Sequence, residues 1–148
     1  MQLTMKHRQD IENPAVTIEY RELTENVKRV CDFVRGIDKT ILCKKEGQSY
    51  SISADDIYYI ESVDKKTFIY DKSDVYQTNL RLIELDEMLS NVGFVRVSKS
   101  TILNVETLSS VKNLANSRLE AVLTNGERIC VSRKYLKDIR EVLIRRNR

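Results

Sequence analysis

Residues 94–104 read FVRVSKSTILN, and this stretch decides the fold that the sequence predicts. Two runs of β-forming residues, 94–97 and 101–103, lie on either side of the polar break Ser98-Lys99-Ser100. Strand formers on both sides of a short polar break are typical of two strands joined by a loop. A cation between two hydroxyls can offer charge and hydrogen bonds to a phosphate or a base edge. It is poorly suited to covalent catalysis.

Two further polar breaks also follow strand-like residues and contain cations. Residues 128–136 read RICVSRKYL, and Ser132 is a suitable N-cap for a helix that begins at about residue 133. Residues 64–66 read DKK and separate the strand-like runs 57–63 and 67–70. The cations therefore cluster in three breaks, at Lys65-Lys66, Lys99 and Arg133-Lys134.

The rest of residues 41–131 is mostly periodic at two residues, which favours short antiparallel strands. Asn125-Gly126 is a strong hairpin signal between two such runs. Apolar residues at helical spacing predict a helix at roughly 80–90. We therefore predict a mainly β fold with a few helices, an α+β class.

The first 45 residues are predicted to form a small strand–helix unit. Val16 and Ile18 alternate with polar residues, which indicates one or two strands within residues 1–20. A helical stripe follows over residues 22–35, and Gly36 occupies the position of a glycine that ends a helix; the stripe consists of Leu23, Val27, Val30, Cys31 and Val34. We interpret residues 1–45 as a regulatory or dimerisation extension and residues 46–148 as the main domain. The sequence does not choose between a helix packed on that domain and a dimer interface.

Composition argues for a soluble non-enzyme. The chain is 41% hydrophobic and 32% charged, and no eighteen consecutive residues are apolar, so we expect a cytoplasmic protein without a membrane span. His7 is the sole histidine, which argues against a Ser-His-Asp triad. The three cysteines are expected to be buried inert thiols, and Asp55-Asp56 to be a turn or cap. We expect no cofactor, no metal site and no small-molecule substrate.

Charge is concentrated at the C-terminal end of the chain. Residues 128–148 contain eight Lys/Arg and two Asp/Glu, which gives this segment a net charge of +6. The net charge of the whole chain is +3, so residues 1–127 have a net charge of −3. A basic end on a nearly neutral body suggests a polyanionic partner. A solvated helix face with a basic tail would give the same count.

Residues 50–144 resemble a LytTR DNA-binding domain, a bacterial transcription-factor module. Three segments carry the resemblance, namely residues 55–62, 94–104 and 125–136. It implies about ten short strands whose connecting loops enter successive major grooves of double-stranded DNA. By position it implies DNA contacts in a first loop at Lys65, Lys66 and Thr67, in a central loop at Lys99 and at Arg133. Ser98, Ser100 and Lys134 join this set because their donors flank those positions.

The chain departs from the family pattern in the central loop, where the common histidine and arginine are replaced by Ser98 and Lys99. Lysine lacks the planar fork of arginine, so a base preference does not carry over. Residues 1–45 are too short for a receiver domain. The resemblance therefore implies a stand-alone regulator, two protomers on direct repeats of DNA as a dimer, and a small membrane protein as inhibitor.

Two other functions remain open from the sequence. The domain could be a protein-interaction module for a membrane-protein or other partner, with DNA binding weak or lost, and the Ser98 and Lys99 departure favours this alternative. Single-stranded nucleic acid could instead stack on tyrosines of the sheet, which are Tyr58, Tyr59, Tyr70 and Tyr76. Packing within the sheet is the more common use of tyrosines at strand spacing.

Overall fold

The computed structural model describes residues 1–146, which form ten β-strands and three α-helices. The helices are α1 (Glu25–Ile37), α2 (Leu82–Leu89) and α3 (Leu136–Arg146). The strands are β1 (Thr40–Lys45), β2 (Gln48–Ser53), β3 (Tyr59–Val63), β4 (Lys66–Tyr70), β5 (Val75–Thr78), β6 (Phe94–Arg96), β7 (Thr101–Asn104), β8 (Leu108–Asn113), β9 (Leu119–Leu123) and β10 (Arg128–Val131). The predicted mainly β fold with a few helices is confirmed.

Seven strands form one antiparallel sheet in the order β2-β1-β5-β4-β3-β7-β6. β1 lies before residue 46, where we predicted the main domain to begin, and it pairs with both β2 and β5. The other three strands form a second antiparallel sheet in the order β10-β9-β8. Its β9–β10 connection is the predicted Asn125-Gly126 hairpin, where Gly126 has a φ of 89° that favours glycine.

Two apolar cores hold the strands from opposite sides. Ile60 and Ile102 belong to the core beneath α2, whereas Tyr59 and Leu103 belong to the core shared with the three-stranded sheet and α3. Consecutive residues of a strand point to opposite faces, so β3 and β7 are buried on both sides. Each fully buried Ile or Leu side chain contributes about 1.5–3 kcal/mol by leaving water. The loop between β6 and β7 is therefore attached to the most deeply buried part of the fold.

The strands predicted within residues 1–20 are wrong, because the first regular element is α1. Pro14 lacks a backbone donor, and residues 1–20 belong to neither of the two sheets. The predicted helix is present but displaced, since it begins after Thr24. The Thr24 hydroxyl accepts a hydrogen bond from the Val27 N–H at 3.4 Å.

Gly36 does not end α1 as the sequence suggested, because the helix continues to Ile37. The glycine is buried, and a Cβ atom at this position would lie 2.2 Å from Asp55 Oδ1. Asp55 belongs to the short 3-10 turn Ala54–Asp56, where burial raises the pKa of its carboxyl. The absence of a side chain at Gly36 thus lets α1 approach the domain closely.

Candidate nucleic-acid interface

The sheet register places two of the three cationic breaks at one end of the large sheet. Val63, at the end of β3, pairs with Lys66 at the start of β4. Glu61 of β3 pairs with Thr101, the first residue of β7. The β3–β4 turn and the β6–β7 loop therefore extend from the same end of neighbouring strands.

Two backbone hydrogen bonds join all three breaks. The Ser62 N–H donates to the Ser100 carbonyl oxygen at 2.8 Å, which ties the central loop to β3. The Ser132 N–H donates to the Val97 carbonyl oxygen, also at 2.8 Å, which ties the central loop to the end of β10. We call the joined set the cationic surface, and it consists of Lys65, Lys66, Ser98, Lys99, Ser100, Arg133 and Lys134.

The central loop is held by its own polar groups, which leaves the Lys99 side chain exposed. The Ser100 N–H donates to Ser98 Oγ at 3.2 Å, and the Val97 N–H donates to the Thr101 carbonyl at 3.1 Å. Arg96 Nη2 donates to the Lys99 carbonyl at 3.0 Å. Sequence reasoning missed this bracing role of Arg96, because nothing in the pattern shows that its side chain turns back onto the loop.

The β3–β4 turn presents two of the predicted cations but not the predicted threonine. Asp64 and Lys65 have φ angles of 51° and 66°, the left-handed pair of a tight two-residue hairpin. Lys65 and Lys66 are exposed. Thr67 is only 5% exposed and pairs with Thr78 in the sheet, so its side chain lies outside the cationic surface.

Arg133 and Lys134 begin a 3-10 turn, Arg133–Tyr135, that leads directly into α3. Both side chains are exposed, and Lys134 Nζ lies 5.7 Å from the centre of the Tyr135 ring. Ser132 occupies the predicted N-cap position, but its hydroxyl makes no capping bond. Its own N–H donates to the Val97 carbonyl oxygen, so this donor is not available to a ligand.

The cations of the surface carry charge that no carboxylate neutralises. Among the side chains that the structure describes, Lys65, Lys66, Lys99, Arg133 and Lys134 take part in no ion pair. Five other arginines, Arg8, Arg29, Arg35, Arg96 and Arg128, are paired with acids. An end of the sheet with unpaired positive charge attracts a polyanion.

Comparison with known proteins gives the same picture. Residues 47–144 match the family model of the LytTr DNA-binding domain. The chain belongs to the LytTR family. The LytTr DNA-binding domain of a Bacillus cereus protein has the same fold, with a TM-score of 0.66 at 24% identity over 72% of this chain and 97% of that one.

The share of a relative's length that this LytTR chain covers differs between two relatives. The sensory transduction protein LytT of Bacillus cereus is 28% identical over 74% of the chain but 47% of its own length. The chain spans about half the length of such LytT relatives. An uncharacterised HTH-type transcriptional regulator of Staphylococcus aureus is 25% identical over 86% of this chain and 88% of its own.

The β8–β9 loop of the LytTR domain contacts the cationic surface, which sequence reasoning did not predict. Arg133 Nη2 donates to the carbonyl oxygen of Asn116, in the β8–β9 loop, at 3.4 Å. Arg140 of α3 donates to Oδ1 of Asn113, the last residue of β8, also at 3.4 Å. Arg118 at the end of this loop is exposed. The signal was visible in the sequence, since the loop is another polar break between two strands.

Other predicted features lie away from the cationic surface. Tyr59 and Tyr70 stack on each other with ring centres 4.1 Å apart, so these rings pack within the protein. Cys43 is buried as expected, but Cys130 is exposed because it faces outward on the edge strand β10.

In residues 1–146 no group of three His, Cys, Asp or Glu side chains could hold a metal ion. No helix in this range is long and apolar enough to cross a membrane. Residues 147–148 of the basic segment lie outside the described chain.

Proposed function

We propose that this chain is a sequence-specific transcriptional regulator that binds double-stranded DNA through the cationic surface. The observation that carries the proposal is the pair of 2.8 Å hydrogen bonds, Ser62 to Ser100 and Ser132 to Val97. They hold three separate cationic segments together as one exposed, unneutralised surface. Membership of the LytTR family supports duplex DNA as the polyanion.

Each side chain of the surface has a role that its chemistry suggests. The planar guanidinium of Arg133 matches the O6 and N7 acceptors of guanine in the major groove. Lys99 can meet a phosphate or a guanine, and the hydroxyls of Ser98 and Ser100 can donate to phosphate oxygens. Lys65 and Lys66 are point charges on flexible side chains and are best suited to contact the phosphate backbone of DNA.

The proposed reading device is a set of loops instead of a recognition helix. The exposed cations lie on the β3–β4 turn, on the β6–β7 loop and on the residues between β10 and α3. Loops at one end of a sheet can enter successive major grooves on one side of a duplex. Two protomers on neighbouring half-sites follow from the family resemblance. The family resemblance implies that those half-sites are direct repeats. Sequencing duplexes that the chain selects from a random DNA library would test this.

A matched pair of variants tests this proposal. We expect Lys99→Ala combined with Arg133→Ala to reduce affinity for duplexes that the wild-type chain retains by about thirtyfold or more, since two charge-assisted contacts are lost. Lys72→Ala is the control, because Lys72 is exposed in the β4–β5 turn at the opposite end of the sheet. Equal retention of DNA by the wild-type chain, the double variant and the Lys72→Ala control would contradict the proposal. It would favour a protein partner for this surface.

A further inference from the structure

The β8–β9 loop, residues 114–118, is a closed turn with a defined backbone. The Leu114 N–H donates to the Arg118 carbonyl oxygen at 2.8 Å, which closes the loop. Asn116 adopts the left-handed conformation, with a φ of 64°, and asparagine tolerates this conformation better than most residues. The loop therefore has a fixed shape, and the Arg118 side chain is exposed at its end.

The loop lies at the same end of the three-stranded sheet as the start of the C-terminal helical segment. Leu119, the residue after the loop, pairs with Val131, the last residue of β10. Ser132 and Arg133 come directly after Val131. The loop and the connection from β10 to α3 therefore leave the sheet side by side.

A contact at the other end of β9 gives the same placement. The Asn125-Gly126 hairpin follows β9, and Asn125 Nδ2 donates to the Lys72 carbonyl oxygen at 3.1 Å. Lys72 lies in the β4–β5 turn, at the end of the large sheet opposite the cationic surface. Because β9 runs from the β8–β9 loop to this hairpin, the loop lies at the end that carries the cationic surface.

Two arginines fasten the loop to the C-terminal helical segment. Arg133 donates to the Asn116 carbonyl oxygen, and Arg140 donates to the Asn113 side chain just before the loop. A guanidinium has five N–H groups in a rigid fork, so Arg133 keeps donors for DNA while one of them is held by the loop. The loop is therefore a direct neighbour of the cationic surface.

The strands around the loop add positive charge to this end of the molecule. Residues 107–119 contain Lys112 and Arg118 but no aspartate or glutamate, which gives this stretch a net charge of +2. Both side chains are exposed, and neither takes part in an ion pair with a side chain that the structure describes. Glu120, which lies opposite Lys112 in the β8–β9 ladder, is paired with Arg128 at 3.6 Å.

We propose that the β8–β9 loop is a fourth DNA-contacting segment, in which Arg118 binds a backbone phosphate and Lys112 supplies further positive charge. This inference rests on the proposed function, because it extends the same surface to a loop outside it. A guanidinium can donate two parallel N–H bonds to one phosphate group. Phosphate contacts fix the position of a protein on the duplex, so a phosphate bound at Arg118 also positions Arg133, which the loop contacts.

Titration of the full chain with a fluorescent duplex of random sequence, at several salt concentrations, tests the proposal. We expect Arg118→Ala to weaken binding about fivefold, since one charge-assisted contact is lost. The slope of log affinity against log salt should fall by about 0.9, and Arg118→Lys should restore most of that slope because lysine also neutralises a phosphate. Lys72→Ala is the control, since this exposed cation lies at the opposite end of the sheet. An unchanged slope for Arg118→Ala would overturn the proposal.

DNA cleavage by an iron chelate attached to a cysteine gives a second readout, which does not depend on the strength of the Arg118 contact. In a background of Cys31→Ser and Cys130→Ser, the remaining Cys43 is buried, so an introduced cysteine carries the chelate. Arg118→Cys should cleave the bound duplex, whereas Glu127→Cys, which is exposed at the opposite end of β9, should not. Equal cleavage from both positions, or cleavage from neither, would count against a DNA contact at the loop.

The proposed function and this inference fail in different ways. If Lys99→Ala combined with Arg133→Ala lowers the affinity for DNA but Arg118→Ala does not, the cationic surface binds DNA and the β8–β9 loop does not. If the wild-type chain retains no duplex at all, the proposed function fails and this inference fails with it.

Discussion

Ser132 donates its backbone N–H to the carbonyl oxygen of Val97 across 2.8 Å. This bond connects residues that are 35 positions apart in sequence, one at the start of the C-terminal helical segment and one at the start of the central loop. Lys99 and Arg133 follow these two residues closely. This contact, together with the packing of Val97 and Val131 in one core, holds their positions relative to each other.

Ser132→Pro should weaken the coupling between these two segments. Ser132 has a φ of −68°, which proline adopts without strain, so the substitution removes the N–H donor and little else. We expect a loss of about 1 kcal/mol in unfolding free energy and shifted NMR signals for the Lys99 and Ser100 amides. Ser132→Ala keeps the N–H and is the control. Identical behaviour of the proline and alanine variants would show that the bond does not position the loop.

Arg133 should read a base. Arg133→Ala is expected to cost about 1–3 kcal/mol of binding free energy on preferred DNA and less on unrelated duplexes. Arg133→Lys should recover much of the unspecific affinity but little of the preference, since lysine keeps the charge and lacks the fork. Titration of both variants against preferred and base-substituted duplexes measures the difference. A loss below about 0.5 kcal/mol for the alanine variant would remove Arg133 from the interface.

Lys66 should contact the phosphate backbone. Lys66→Ala is expected to lower the affinity for every duplex alike and to reduce the slope of log affinity against log salt by about 0.9, the contribution of one phosphate contact. Lys72→Ala, at the opposite end of the sheet, should leave the slope unchanged. Binding isotherms at several salt concentrations give both slopes, and an unaltered slope for Lys66→Ala would place this residue away from the DNA.

Gly36 and Asp55 should be coupled in stability. Alanine suits a helix interior better than glycine by about 1 kcal/mol, but here its Cβ would meet the Asp55 carboxylate. We expect Gly36→Ala to be less favourable by about 1–3 kcal/mol in the wild-type background than in an Asp55→Ala background. Denaturant unfolding of the four proteins of the cycle tests this. Equal effects in both backgrounds would mean that α1 does not approach the Asp55 turn closely.

The strands around Lys99 were predictable because their information is local. β-forming residues flank a short polar break, and Asn125-Gly126 adopts the left-handed turn that its residue types favour. The same reasoning fails within residues 1–20, where the alternation of Val16 and Ile18 with polar residues predicted strands and the segment pairs with neither sheet. Alternation shows which residues could form a strand, but a strand also needs a partner that the pattern cannot name.

The grouping of site residues was predictable only in part. Family resemblance pointed to Lys65, Lys99 and Arg133, but Thr67 shares their segment and is turned into the sheet by strand alternation. The contact between Arg133 and Asn116 depends on how the two sheets pack, which no local pattern encodes. The helical stripe of residues 22–35 shows the same limit, because its spacing predicts an apolar helix face without saying what covers that face.

Selection of bound duplexes from a random DNA library at near-physiological salt tests the central claim most directly. The account predicts an enriched motif with two half-sites about one helical turn apart, and a loss of that enrichment when Lys99 and Arg133 are both replaced by alanine. Retention that depends on salt alone, with no enriched sequence, would contradict sequence-specific recognition by the cationic surface.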